Sequence, residues 1–199
     1  MRPVRLTRAQ QQAVTRERLL AAAEQVIARH GYGGASIDLI TAEAGYSKGA
    51  IYSNFESKEA VFLELLRVYM ERDMAELARI VSLDPDKISA AVTGWLETMH
   101  ADRDCPLLMT ELQLHARRSP AFAERYYALQ ERQTRTLAGI LKRYFKAVST
   151  PLPMDPRDLA GSITALAHGL SLQRPPGKPG AASAAGRVID RMLKLLTQR

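Results

Sequence analysis

The chain has a single cysteine, Cys105, in 199 residues. An internal disulfide is therefore impossible, and a lone thiol beside Pro106 fits a small packing residue in a reducing cytoplasm. No apolar run approaches the ~20 residues that span a bilayer, and the N-terminus has no apolar signal core. Strict apolar–polar alternation, the mark of a half-buried strand, is missing throughout. Also missing are H-E-x-x-H, Cys-x-x-Cys, a P-loop and G-x-S-x-G. The four histidines, His30, His100, His115 and His168, are scattered over different helical segments. His100, Cys105 and His115 could converge on a metal, but their spacing matches no known site. These gaps predict an all-α protein of the cytoplasm with no membrane segment, no catalytic residues, no metal and no cofactor.

What is present is ordinary helical material: 46% hydrophobic and 25% charged residues, with a net charge of +7. That excess favours polyanions without identifying one. Residues 1–60 hold eight Lys or Arg against six Asp or Glu, so charge alone does not mark a binding region. The extreme N-terminus is more pointed, because Arg2, Arg5 and Arg8 precede the first acid, Glu17, which Arg16 and Arg18 flank. Such an arm could follow a phosphate backbone or enter a minor groove, or it could be a solvated tail.

Periodicity near 3.6 predicts about nine helices. Thr7 with Gln10 has the makings of a capping box, and Leu19, Leu20, Ala23, Val26 and Ile27 share one face of helix 1 before His30-Gly31. Helix 4 is predicted from Lys58 to about Val81, a span of roughly 36 Å. Helix 5 follows Pro85, with Ile88, Val92, Trp95 and Met99 in line. Helix 6 follows Pro106, helix 7 runs from Ala121 to about Val148, and helix 8 from Arg157 to Leu172. Residues 174–180 are rich in proline and glycine and read as loop. Helix 9 closes the chain with Val188, Ile189, Met192, Leu195 and Leu196.

One stretch, residues 36–59, is suited to few purposes. Ser36 is a helix N-cap with Asp38 in the first turn, where a carboxylate suits the positive helix end. Ile37, Ile40 and Ala44 make one buried face, and Gly45 ends the helix. Only Tyr46 separates Gly45 from the next cap, Ser47, so the two helices must cross steeply, as in a helix-turn-helix. Burial of Ile51 and Phe55 leaves Lys48, Gly49, Ala50, Tyr52 and Asn54 outward. Lys48 can reach a phosphate or guanine, Gly49 lets the backbone approach, and Ala50 can touch a thymine methyl. Tyr52 offers a hydroxyl to the backbone, and Asn54 can pair with adenine or bond a phosphate. Ser57 starts a third helix whose free amides, with Lys58, form a plausible phosphate site.

Ser47-Lys48-Gly49, Ile51-Tyr52, Phe55 and Ser57-Lys58-Glu59, preceded by Ser36-Ile37 and Ala44-Gly45, resemble the TetR family of one-component bacterial transcription regulators. The likeness covers roughly residues 15–66. It implies a DNA-reading domain at residues 1–56 and a helical effector-binding and dimerisation domain at 57–199. It also implies a homodimer that binds double-stranded DNA and is usually released by a ligand. The DNA-contacting set is then Ser36, Ser47, Lys48, Gly49, Ala50, Tyr52, Asn54 and Lys58. Tyr46, Thr41, Asp38, Ser53 and Asn54 depart from the common pattern, so no relative's operator transfers to this chain. Glu111-Leu112 to Arg117-Arg118-Ser119-Pro120 and Leu166-Ala167-His168-Gly169-Leu170 resemble the family's helix 6–7 junction and helix 8. Dimerisation through helices 8 and 9 is the expectation, with Ala160, Gly161, Ala165, Ala167 and Gly169 allowing close approach, and packing within one chain is the alternative.

The effector pocket is expected among helices 5–8, with Trp95, Met99, Tyr126 and Tyr127 as candidate liners for a small, largely apolar molecule. These four residues could equally be ordinary core. A helical adaptor protein would need neither DNA affinity nor a pocket. An activator would share the DNA module with a repressor, and sequence does not separate the two.

Overall fold

A computed structural model of the chain describes residues 7–98, 105–173 and 184–197. All regular structure among the described residues is helical: α1 (Arg8–Gly34), α2 (Ile37–Ala44), α3 (Lys48–Tyr52), α4 (Lys58–Ile80), α5 (Pro85–Thr98), α6 (Cys105–Arg118), α7 (Pro120–Ala147), α8 (Pro156–Leu172) and α9 (Ala184–Thr197). Arg2, Arg5, Met99, His100 and the 174–180 loop, singled out from sequence, lie outside the described residues, as do the side-chain surroundings of Cys105.

The expected helix-end chemistry is in place. Thr7 N–H donates to Gln10 Oε1 at 2.8 Å and Gln10 N–H to Thr7 Oγ1 at 3.2 Å, a reciprocal capping box. Helix α1 is broken at Gly31, whose φ of 64° is open to glycine and strained for other residues. Ser36 accepts from Leu39 N–H at 3.2 Å and Ser47 from Ala50 N–H at 3.3 Å. Between those caps Gly45 takes the left-handed conformation, φ 69° and ψ 29°, and closes α2 through bonds to Ala42 and Thr41 carbonyls.

The chain divides into two compact units: residues 1–68 with 108–123, and residues 69–107 with 124–199. This partition differs from a cut after residue 56, and the reason is local packing. Tyr32 N–H donates to the Glu111 carboxylate, and the Tyr32 ring lies 5.0 Å from the His115 ring, itself 4.7 Å from Phe122. Leu108, Leu112 and Ala116 are buried alongside. Most of α6 therefore belongs with the first unit, as does the first half of α4.

The first unit buries Leu19, Ala23, Val26, Ile40, Ile51, Phe55, Val61, Phe62 and Leu66. Those from α1, α2 and α3 are the apolar positions that the periodicity marked. The second unit has its own core, including Leu77, Ile88, Val92, Leu137, Leu141, Tyr144, Phe145, Leu159, Ile163 and Ile189. Within it α9 lies so close to α5 that a Cβ on Gly186 would sit 1.8 Å from the Leu96 carbonyl oxygen.

Candidate nucleic-acid interface

Helix α3 is short, five residues, and is held by its ends. Ile51 is fully buried and Phe55 nearly so, which anchors one side. Phe55 N–H returns to the Ile51 carbonyl at 2.8 Å, turning the chain out of the helix. Ser47, Lys48, Gly49 and Tyr52 are exposed, Tyr52 by 57%, and Ala50 is half-buried between them. Four of the expected contact residues are thus exposed on the surface of α3 and its cap, and Ser36 caps the neighbouring α2.

Lys48 is not alone on that surface. Its Nζ lies 2.6 Å from Asp38 Oδ1, with both side chains well exposed. The bond to Asp38 raises the ammonium pKa above its ordinary value. Asp38 was left out of the sequence-derived set. The readable signal was its opposite charge on the first turn of α2, with Lys48 on the first turn of the helix that follows one tight turn later.

Two of the expected contact residues are engaged inside the unit. The Asn54 amide nitrogen donates to the Ala50 carbonyl at 2.8 Å, its Oδ1 is buried, and its carbonyl accepts from Arg16 at 2.8 Å. Asn54 closes the end of α3 and presents no free amide edge outward. Lys58 Nζ donates to the Tyr32 and Ala35 carbonyls, each at 3.0 Å, and sits 4.4 Å from the Tyr32 ring centroid. Its ammonium ties the end of α1 to the start of α4. The phosphate site expected there is also crowded by Glu59. Burial works to raise that carboxyl's pKa, but its own backbone N–H, the Ser57 hydroxyl, His115 and Lys58 outweigh this and hold it low. A carboxylate already occupies the positive end of α4.

Arg16, read from sequence with the basic arm, is likewise internal to the unit. It lies 2.9 Å from Glu64 and stacks 4.2 Å from the Phe55 ring centroid.

The second unit holds a recess of about 280 Å³ between α4 and α7, lined mainly by Met70, Met74, Ala75, Ala78, Leu129 and Gln133, with Glu71, Arg132 and Thr136 around it. Gln133 Oε1 and Gln130 Nε2 are buried without a hydrogen-bond partner. Of the expected pocket liners, Trp95, Tyr126 and Tyr127 do not border this recess. Trp95 packs half-buried against the second core, while buried Tyr126 meets exposed Tyr127 edge-on at 5.3 Å. The recess was missed because its walls carry no aromatic ring. Met70 and Met74, four residues apart, were the available hint. Among the described residues no group of three or more His, Cys, Asp or Glu could hold a metal ion, and no helix is long and apolar enough to cross a membrane.

Comparison with known proteins agrees with this geometry. Residues 19–65 match the family described as bacterial regulatory proteins, tetR family, and residues 85–197 match the C-terminal domain of BetI-type transcriptional repressors. The chain is 39% identical over 85 residues to the HTH-type transcriptional repressor SCO4008 of Streptomyces coelicolor, covering 43% of this chain and 40% of that protein. It is 31% identical over 120 residues to the repressor AcnR of Corynebacterium diphtheriae, covering 57% and 56%. The chain thus spans between two-fifths and just over half of these relatives. A crystal structure of a TetR-family transcriptional regulator from Rhodococcus sp. superposes with a TM-score of 0.73 at 19% identity, covering 94% of this chain and 100% of that one.

Proposed function

This chain belongs to the tetR family of bacterial regulatory proteins, a family of transcription regulators rather than enzymes, and from that premise we propose that it is a ligand-released repressor acting in the cytoplasm. It binds a palindromic operator as a homodimer, each subunit laying α3 in a major groove, with half-sites about 34–36 Å apart. The observation that carries the reading is the α2–Gly45–α3 turn, capped at both helices, with Ser47, Lys48, Gly49 and Tyr52 exposed at α3 and Ala50 half-buried among them. Ser36 supports that turn through its cap. Direct base contact by Asn54, or phosphate contact by Lys58, would need those side chains to leave their present bonds.

Support for the homodimer comes from α8 and α9. Leu172, Val188 and Leu195 are exposed there, and Val188, Met192, Leu195 and Leu196 line a shallow apolar trough flanked by Arg187 and Arg191. A Cβ on Gly161 or Gly169 would meet nothing among the described residues, so the small residues of α8 leave room for a second copy.

The effector site is the α4–α7 recess. Its thioether and aliphatic walls take a small apolar body, and Gln133 Oε1 asks that body for one hydrogen-bond donor. Trp95, Tyr126 and Tyr127 shape the surrounding second unit. Release requires that the effector bind the DNA-incompetent conformation more tightly, since a ligand shifts an equilibrium only by its differential affinity.

The test is selection of bound duplexes from a random pool by purified protein. Enrichment of a palindrome supports the reading, and that duplex then reports which small molecules release it. Recovery of no preferred sequence, with only weak salt-sensitive binding, would overturn it.

A further inference from the structure

Asp38 presents a problem that the repressor reading does not solve. It is an exposed carboxylate on a surface meant to meet a polyanion, and it lies 2.6 Å from the foremost lysine of the reading helix. A duplex that reaches Lys48 must also meet Asp38. If the lysine simply moved to a phosphate, the carboxylate would be left facing the phosphate field and would take up a counterion. The entropy gained by counterion release at Lys48 would be cancelled. As a phosphate binder, the pair is worth close to nothing.

The pair has a better use. The groups on DNA that give a carboxylate a hydrogen bond are the exocyclic amines, and in the major groove these are cytosine N4 and adenine N6. Adenine also presents its N7 acceptor beside N6, which repels the second carboxylate oxygen. Cytosine presents no such neighbour. Its partner guanine presents O6, an acceptor suited to an ammonium. In a G·C pair the amine and O6 are themselves hydrogen-bonded, roughly 2.9 Å apart. Asp38 and Lys48 carry the complementary acceptor and donor at 2.6 Å.

We propose that Asp38 and Lys48 form one reading unit for a single G·C base pair in each half-site. Lys48 donates to guanine O6 or N7, and Asp38 accepts from cytosine N4. The unit is neutral overall, so it contributes sequence preference and little salt-dependent affinity. Lys48, on the face the two helices present, supplies the attraction to guanine. Asp38 rejects A·T, whose thymine offers no amine where cytosine presents N4, so that pair leaves the carboxylate unsatisfied. The inference rests on the operator reading.

The experiment compares duplexes selected from a random pool by the wild-type protein, Asp38→Asn and Lys48→Ala, with binding then measured against salt. Both side chains are well exposed, and unchanged thermal melting confirms that the variants fold. The wild type is expected to fix one G·C position per half-site, preferring it tenfold or more over A·T. Both variants lose the preference at that same position, to about threefold or less, and keep the rest of the palindrome. Asp38→Asn frees Lys48, so its salt slope steepens by about one unit per subunit and its non-specific binding tightens. An Asp38→Asn variant with every base preference intact and merely tighter binding everywhere would reduce Asp38 to an electrostatic brake and overturn the proposal. Loss of preference at different positions in the two variants would also overturn it. A wild-type protein that selects no palindrome overturns the operator reading itself, and the two failures are therefore distinguishable.

Discussion

Arg16 shows how a residue suited to DNA can be spent on the fold. Its guanidinium bonds the Asn54 carbonyl, pairs with Glu64 and covers Phe55, so one side chain joins α1 to the end of α3 and to α4. Glu64 is held by Arg67 first and, against the opposing effect of burial, by Arg16; together they lower its pKa to about 2. A depressed carboxylate contributes stability that is present above its ordinary pKa of ~4.3 and is lost as pH falls through the folded value. Glu64→Gln is therefore expected to flatten the loss of stability between about pH 4.5 and 2. Solvent around the partly exposed arginines reduces the gain at neutral pH to roughly 1 kcal/mol. Urea unfolding of both proteins across that pH range is the check. Lys58→Met should cost about 2 kcal/mol, because two carbonyl bonds and a ring contact are lost together. Its salt slope on DNA should stay unchanged, and a slope reduced by one unit would restore Lys58 to the phosphate contacts. Here the sequence was least legible. Lysine, asparagine and arginine serve capping carbonyls and phosphates through the same donors, and only the fold decides which partner is nearer.

At the scale of elements, legibility was high wherever a cap and a period coincided. Thr7 with Gln10, Ser36, Gly45 and Ser47 each mark an end by local chemistry that needs no distant partner. The first turn of α9 had no such mark. Ala184, Ala185 and Gly186 give no apolar period, and Gly186 serves the close passage over Leu96. Gly186→Ala places a methyl against backbone that cannot rotate away, so a loss of about 1–3 kcal/mol is expected. Gly139→Ala on α7, where a Cβ meets nothing, should instead gain up to about 1 kcal/mol from helix propensity. Thermal melting of the pair separates close packing from a general glycine effect, and equal shifts would contradict the α5–α9 contact. The α4–α7 recess escaped notice for a related reason. Its floor is built by residues more than fifty positions apart, and no short-range pattern encodes that meeting.

For the whole molecule, the proposed homodimer would couple assembly to function through the trough on α9. Leu195 is 60% exposed, and replacing it with glutamate should cost the isolated subunit almost nothing. In sedimentation the wild type is expected to run as a dimer and Leu195→Glu as a monomer with intact helicity. The monomer should lose tight operator binding, because a single half-site forfeits the advantage of linked sites. A variant that stays dimeric would move the interface off this face.

The Tyr32–Glu111 bond and the His115 stack give the reading head two non-adjacent stretches of chain, residues 1–68 and 108–123. That arrangement restricts how such a protein can be recombined. A crossover after residue 56 that joined this head to another regulator's body would import a foreign α6, and the Tyr32 amide would face whatever residue arrived in place of Glu111. A head moved together with its own α6 would keep the Tyr32–Glu111 bond, and one moved without it would not, so the seam for an exchange lies around two stretches of chain rather than after one residue.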